Sequence, residues 1–337
     1  MTDRNGEHVV VIAEAGVNHN GSLTAAKELA DVAARAGADF VKYQTFDPKA
    51  LVVPEAAAAE YQKAGGYADQ AEMLARLTLS TDELASLAEH CTSIGVRFLS
   101  TAFDLGSIQV LQGLGQTTWK IPSGEITNVP LVEAIGRIAD EVILSTGMAT
   151  LGEIEQALTW LRAVGCPRER VIVLHCNTEY PTPYDDVNLR AMQTIGQAFG
   201  VRFGYSDHTM GIEVPIAATA LGAVVIEKHF TLDRNLPGPD QKASLEPDEL
   251  QQMISSVRNA QRALGQREKC VTDSEKKNLS VARKGIYAAR SIDAGEAFSA
   301  ENITTKRPAD GLPASFWHQT VGRHARRAYR PNEAIEW

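Results

Sequence analysis

His208 and His229 each follow a short apolar run, 201–205 (VRFGY) and 223–228 (AVVIEK), and the carboxylates Glu14, Asp207 and Glu227 fall close by in equivalent places. Two neutral imidazoles at matching strand ends form a donor pair for a divalent cation. With two such ligands and open positions left, the ion would be a labile Mn²⁺, or Mg²⁺ or another divalent ion, rather than a closed structural zinc. A single histidine is more often a satisfied structural residue, so it is the pairing that carries the metal reading. Lys42 and Lys120 also sit in apolar runs, and Thr101, Ser123, Ser145 and Ser206 fall at similar points. Ammonium groups supply charge and hydroxyls supply directed donors, which together make a cradle for a phosphate or carboxylate. A lone lysine in a strand can instead be an edge residue whose ammonium reaches water. A closed sheet has no edge, and two lysines in one weaken that alternative. Cys176, beside His175, could be a nucleophile, but no base is placed for it and a buried thiol is the simpler reading.

The elements that must position these groups are short β-rich runs alternating with helical patterns. The strands are expected at 8–13, 39–44, 96–100, 118–121, 141–145, 171–175, 201–205 and 223–228. They are continuously apolar, as strands covered on both faces should be. Helices are expected at 22–36, 81–93, 151–163 and 247–264, with Ser22 and Thr81 as N-caps and Gly37, Gly95 and Gly165 near C-termini. Eight strand–helix units within about 265 residues match a closed α/β fold, the (β/α)₈ TIM barrel. An open doubly wound sheet is the alternative, but it normally has fewer strands and often a Gly-rich nucleotide turn, and no GxGxxG or GxxxxGK[ST] occurs. In a (β/α)₈ barrel the chemistry sits at the C-terminal strand ends. All eight ends here carry polar or ionisable residues: Glu14; Lys42 and Gln44; Ser100 and Thr101; Lys120, Ser123 and Glu125; Ser145 and Thr146; His175 and Asn177; Ser206, Asp207 and His208; Glu227 and His229. The long connection 46–80, with its Ala-rich middle PEAAAAEYQKAGG, could partly cover that end. Segment 233–247 carries Asp240, Lys242, Ser244 and Glu246, a set an ordinary solvated loop could also hold. The expected organisation is a barrel over 1–265, a polar linker over 266–280 and a small β-rich module over 281–337.

Composition narrows the class of function. The formal net charge is −9 and no nucleic-acid motif stands out, so no nucleic-acid partner is expected. Cys91, Cys166, Cys176 and Cys270 are scattered, without CxxC pairs, which suits a reduced, cytoplasmic protein. The polar first residues lead straight into a strand, so no signal peptide is expected, and no apolar run reaches the ~20 residues of a membrane span.

Nine segments together have a family character: IAEAGVNHNG (12–21), KYQTF (42–46), STAFD (100–104), KIPSGEITN (120–128), LSTGMA (144–149), LHCNTEYPTP (174–183), GYSDHT (204–209), EKHFTLD (227–233) and GPDQKASLEP (238–247). They span the barrel and closely resemble the sialic acid (nonulosonic acid) synthase family. The tail resembles that family's C-terminal antifreeze-like SAF domain, of β-clip type, with KRPADG (306–311) similar to its arginine loop. The wording is closer to legionaminic than to pseudaminic acid synthases, and N-acetylneuraminate synthases share most of it. Two residues depart from the family pattern: Ala102 where STPFD is usual, and Gln241 where GPDHK is usual.

The resemblance implies a transferase that condenses phosphoenolpyruvate with a non-phosphorylated N-acetylmannosamine-type sugar and releases phosphate. It implies Mn²⁺ on His208 and His229, with Lys42, Lys120, Thr101, Ser123, Ser145, Asn177 and Ser206 holding phosphate and carboxylate. Glu14 would position or deprotonate water. Gln44, Glu125, Tyr180, Asp207, Glu227, Asp240 and Lys242 would contact sugar or water. It further implies a domain-swapped homodimer, in which Arg307 crosses to the other chain's site. The competing expectations are a synthase acting on a phosphorylated sugar, which would need a further cationic pocket, and an ice- or polysaccharide-binding protein. Arg283, Lys284, Arg290, Lys306 and Arg307 in the tail argue against a flat, uncharged ice-binding face.

Overall fold

The computed structural model describes residues 8–51 and 70–337 and divides the chain into two compact units, 1–265 and 266–337. The Ala-rich middle of the 46–80 connection lies outside the described residues. Its flanks carry short helices at Pro48–Leu51 and Gln70–Leu77.

The first unit contains eight strands: β1 (Val10–Gly16), β2 (Phe40–Thr45), β3 (Arg97–Ala102), β4 (Thr118–Ile121), β5 (Glu141–Ser145), β6 (Val171–His175), β7 (Arg202–Asp207) and β8 (Val225–His229). All registered pairs are parallel, in the order β3-β2-β1-β8-β7-β6-β5-β4. β3 and β4 end that order and lie side by side, so the barrel is nearly closed. Parallel neighbours need a crossover, and each is supplied by helical chain returning over the outside. Local sequence sets several helix ends. Ser22 Oγ accepts the backbone N–H of Ala25, and Gly37 (φ 84°) closes the same helix in a left-handed turn. The second long helix is Thr81–Ile94, capped one residue earlier than its sequence suggested: Ser80, not Thr81, makes a reciprocal capping box with Glu83. Thr150 and Glu153 repeat that device ahead of Leu151–Ala163.

Side chains of a strand alternate between faces, and here the alternation sorts two environments. Outward residues such as Val11, Ala13, Val41, Tyr43, Trp119, Val142, Val173 and Ile226 pack under the helices. Inward residues Ile12, Phe40, Leu99, Ile143, Ile172, Leu174 and Val225 form an apolar plug across the N-terminal half of the barrel. Burying each is worth roughly 1.5–3 kcal/mol. Two residues beyond Ile12, Phe40, Leu99, Ile143 and Val225 the same inward face becomes polar, whereas in β6 it stays apolar through Leu174 and reaches the cavity as Cys176. Gly204 is the inward residue of β7 at plug level. A Cβ there would lie 2.3 Å from the Val225 carbonyl, so only glycine lets β7 and β8 approach.

The second unit has its own small core, Ile286, Ile292, Phe298, Ile303, Tyr329 and Ile335, around an antiparallel pair β9 (Gly285–Ala288) and β10 (Ile303–Lys306).

Asp39 ties the barrel floor together. Its carboxylate accepts from the Val11 N–H and from Arg258 of the Pro247–Leu264 helix, each at 2.7 Å, and lies 2.7 Å from His8 Nε2. Burial alone would push its pKa up, but those donors hold it below the usual carboxylate range. Asp39→Asn should therefore cost about 1–3 kcal/mol near neutral pH. A depressed folded pKa gives stability that is present above the unfolded value of about 4 and is lost as pH falls. The gap between wild-type and variant urea midpoints should shrink in acid, and a pH-independent gap would contradict this account.

Candidate active site

The polar layer at the C-terminal strand ends encloses a cavity of about 350 Å³. Its lining includes Glu14, Lys42, Gln44, Thr101, Lys120, Ser123, Ser145, Tyr180, Ser206, His208, Glu227 and His229, all singled out from the sequence. Phe103, Pro122, Met148 and Cys176 add apolar and thiol groups, and Gly124 and Thr178 complete the lining. Cys176 is a buried thiol, 3.1 Å from Ser123 Oγ. A second groove, about 450 Å³, lies at the opposite strand ends around Phe40, Arg97 and Gln116, without a buried ionic cluster.

Two lysines and two glutamates form the floor. Parallel register sets Glu14 beside Lys42 and beside His229, and Ser206 beside Glu227. Lys42 Nζ is 3.0 Å from Glu14 Oε2, 3.3 Å from Glu227 Oε2 and 3.3 Å from Thr101 Oγ1. Lys120 Nζ donates to Glu227 Oε1 at 2.9 Å, and Ser206 Oγ donates to the same oxygen at 2.9 Å. All four ionic groups are buried. Glu14 Oε2 and Glu227 Oε2 are both buried and share Lys42 as their ionic contact. The two carboxyls differ. Burial pushes Glu14 up to about 7, against the pull of Lys42. Burial also raises Glu227, but Lys120, Lys42 and the hydrogen bonds from Lys120 and Ser206 outweigh it and hold the group below the normal range. A divided pair of this kind suits one proton-carrying group beside one fixed counter-ion.

The imidazoles of His208 and His229 face each other with centroids 5.5 Å apart. His208 Nδ1 contacts the carbonyl of Asn177, which can only accept, so Nδ1 carries the proton. Its Nε2 then receives the Tyr180 hydroxyl at 3.0 Å. Burial lowers His208 to about 4 and drives His229 well below the usual histidine value, so both rings are neutral at physiological pH. His229 Nδ1 is buried without a hydrogen-bond partner, 3.9 Å from Asp240 Oδ2. Among the described residues no group of three or more His, Cys, Asp or Glu is arranged around one metal position. Two neutral rings, one with an orphaned nitrogen and one oriented by a backbone carbonyl, do fit an ion whose other ligands are water or substrate.

Several sequence-derived residues lie elsewhere. Asp207 does not reach the cavity: it alternates with inward Ser206 and His208, so it points outward and is buried against Lys228. Glu125 accepts from Asn128 at 2.6 Å in the turn after β4. The Asn177 side chain turns back onto the Glu179 N–H, while its carbonyl serves His208. Lys242 is exposed and outside the lining. Asp240 is near the cavity only through His229, and burial raises its pKa to about 6. Arg307 belongs to the second unit, its Nε donating to the Ala282 carbonyl at 2.7 Å. Gln241 is fully buried and sutures two strand-end loops, donating to the Asn18 carbonyl at 3.1 Å and accepting from Thr231. Ala102 ends β3, buried opposite Thr45. Gly16 was not anticipated. It sits in a left-handed bulge of β1, where a Cβ would press on Glu14, Gln44 and His229 at 3.3–3.4 Å.

Comparison with known proteins decides the family: the model for the NeuB family matches residues 29–269, and that for the SAF domain matches 283–337. The chain belongs to the NeuB family. It is 48% identical to an N,N'-diacetyllegionaminic acid synthase of Campylobacter jejuni, covering 97% of this chain and 98% of that one. It is 44% identical to the protein of the same name from Legionella pneumophila, over 93% and 89%. Among solved structures, an N-acetylneuraminic acid synthetase from Leptospira borgpetersenii, in complex with citrate, superposes with a TM-score of 0.72 at 33% identity, over 82% of this chain and 94% of that one.

In this NeuB-family site Glu227 neutralises two ammonium groups while Glu14 contacts one. Glu227→Gln should therefore lower stability by about 3–5 kcal/mol, as expected for a broken buried pair. Glu14→Gln should cost clearly less. Urea unfolding at neutral pH measures both, and the reverse order would contradict this charge assignment.

Proposed function

We propose that the chain condenses phosphoenolpyruvate with an open-chain N-acetylmannosamine-type sugar and releases phosphate, with N,N'-diacetyllegionaminate the favoured product and N-acetylneuraminate the alternative. The similarity to an N,N'-diacetyllegionaminic acid synthase over nearly the whole of both chains carries this reading. The site supports it: a buried cradle of two ammonium groups and several hydroxyls suits a small dianion that also bears a carboxylate.

In this reading C3 of phosphoenolpyruvate forms the new bond to the sugar aldehyde carbon. Water adds at C2, and the C2–O bond to phosphate then breaks. Lys42 and Lys120, with Thr101, Ser123, Ser145 and Ser206, hold phosphate and carboxylate and stabilise charge as it grows. Glu227 keeps both lysines oriented before substrate arrives. Glu14, whose pKa lies near neutrality, accepts or returns the proton of the attacking water. Gln44, Asp240 and Tyr180 contact the sugar or order the groups that do. A divalent ion on His208 and His229, Mn²⁺ in this reading, would supply Lewis acidity toward the aldehyde or the water. Lys42 and Lys120 are the lysines or arginines lining the cavity among the described residues, which favours a non-phosphorylated acceptor. No described helix is long and apolar enough to cross a membrane. The scattered cysteines favour a cytoplasmic setting.

The decisive assay is phosphate release from phosphoenolpyruvate with and without Mn²⁺, comparing N-acetylmannosamine with 2,4-diacetamido-2,4,6-trideoxymannose. Release should require both sugar and metal, and be faster with the diacetamido sugar. No release with either sugar, in metal-replete protein, would reject the reading. The proposed assembly is a domain-swapped homodimer in which Arg307 of the partner subunit contacts the acetamido group. Arg307→Ala should lose most activity with an unchanged sedimentation profile, and full activity would remove that role.

A further inference from the structure

One ionic group next to the cavity takes no part in the chemistry above. Asp207 and Lys228 are Cα partners across β7 and β8, and both are fully buried on the outer face of the barrel wall. Their nearest neighbours along the same face are the apolar outward residues Tyr205 and Ile226. Lys228 Nζ donates to Asp207 Oδ2 and to the backbone carbonyl of Thr209, each at 2.5 Å. Asp207 in turn accepts from the Thr209 N–H at 3.2 Å, and both of its oxygens accept from the Thr209 hydroxyl at 3.0 Å. Thr209 is itself fully buried.

These bonds enclose His208. Its two sequence neighbours, Asp207 and Thr209, are both gripped by a single ammonium group. That ammonium belongs to the residue immediately before His229. The backbone spacing between the two imidazole-bearing residues is thus pinned from behind the wall.

Stability alone does not explain such a pair. Burial raises Asp207 and lowers Lys228, each opposing ionisation. An apolar pair at such a place is often equally stable or more so. An apolar pair cannot supply directed bonds to the Thr209 carbonyl, N–H and hydroxyl.

We propose that Asp207 and Lys228 are positioning residues that hold His208 and His229 at the mutual spacing needed to share one divalent ion. The proposal rests on the metal-binding reading of the two histidines, and its test separates the two ideas. The paired variant Asp207→Leu/Lys228→Met is compared with wild type by thermal unfolding without metal, by Mn²⁺ titration followed by electron paramagnetic resonance, and by histidine-selective ¹⁵N spectra. The paired variant should regain most of the melting temperature that either single substitution loses. It should nevertheless bind Mn²⁺ about 10–100-fold more weakly, the range for residues that orient metal ligands. Its His208 Nδ1–H, bonded to the Asn177 carbonyl in the wild type, should exchange faster with solvent. Wild-type Mn²⁺ affinity and unaltered histidine resonances in a folded paired variant would overturn the proposal. If wild type itself binds no Mn²⁺, the metal reading fails, and unaltered His208 and His229 resonances would still overturn the spacing role. Should the paired variant not fold, Thr209→Val removes only the hydroxyl that donates to Asp207. Weaker Mn²⁺ binding and shifted histidine resonances at an unchanged melting temperature support the proposal, and wild-type values in both overturn it.

Discussion

The whole site depends on the two-residue period of strands in a nearly closed parallel barrel. Once Ile12, Phe40, Leu99, Ile143 and Val225 face inward as the plug, the residues two further along must face inward as well. Those residues are Glu14, Lys42, Thr101, Ser145 and Glu227, all of them lining the cavity. The same parity sends Asp207 and Lys228 to the opposite face. Tight approach of β7 and β8 at Gly204 and the bulge at Gly16 complete the arrangement, because both bring backbone where a side chain would otherwise stand.

Placing charge in this interior requires local balance. Two ammonium groups and two carboxylates share the cavity floor, and a second pair sits just behind the wall. Unpaired, any of them would be costly, and burial works against ionisation in each. Balance is not symmetric, however. Glu227 gathers Lys42, Lys120 and Ser206 and stays ionised, while Glu14 has one lysine and titrates near neutrality. Two carboxyls of similar chemistry are thereby fitted to different tasks. The neutral state of the two imidazoles has the same origin, since burial among cations disfavours a further positive charge.

The loops beyond the strands extend this order outward. Asn18 donates to the Phe230 carbonyl and to Ser244, and Gln241 bridges the Asn18 carbonyl and Thr231. The ends of β1 and β8 are tied together in this way, and Asp240, next to Gln241 in sequence, lies at the edge of the site 3.9 Å from His229 Nδ1. At Gln241 an amide that cannot titrate makes both bonds at once.

Much of this was legible in the sequence. Continuous apolar runs betray strands covered on both faces, so all eight strands were placed, and polar residues directly after such runs mark the open end of the barrel. Capping chemistry located helix ends to within a residue, the Ser80 cap being the adjacent hydroxyl to the one expected. Parity was not legible, because a polar residue at a strand end faces in or out according to a register fixed by eight strands at once. Asp207 and Lys228 therefore looked like site and non-site residues, whereas packing makes them partners. Glu125 and Asn177 were polar in the right segments, but local turns redirected their side chains to Asn128 and to the Glu179 N–H. The sequence by itself determined which chemical groups the barrel's open end would hold. Only the tertiary structure decided which groups meet and which carboxyl keeps its proton, because proximity and burial arise when all eight strands close around one axis.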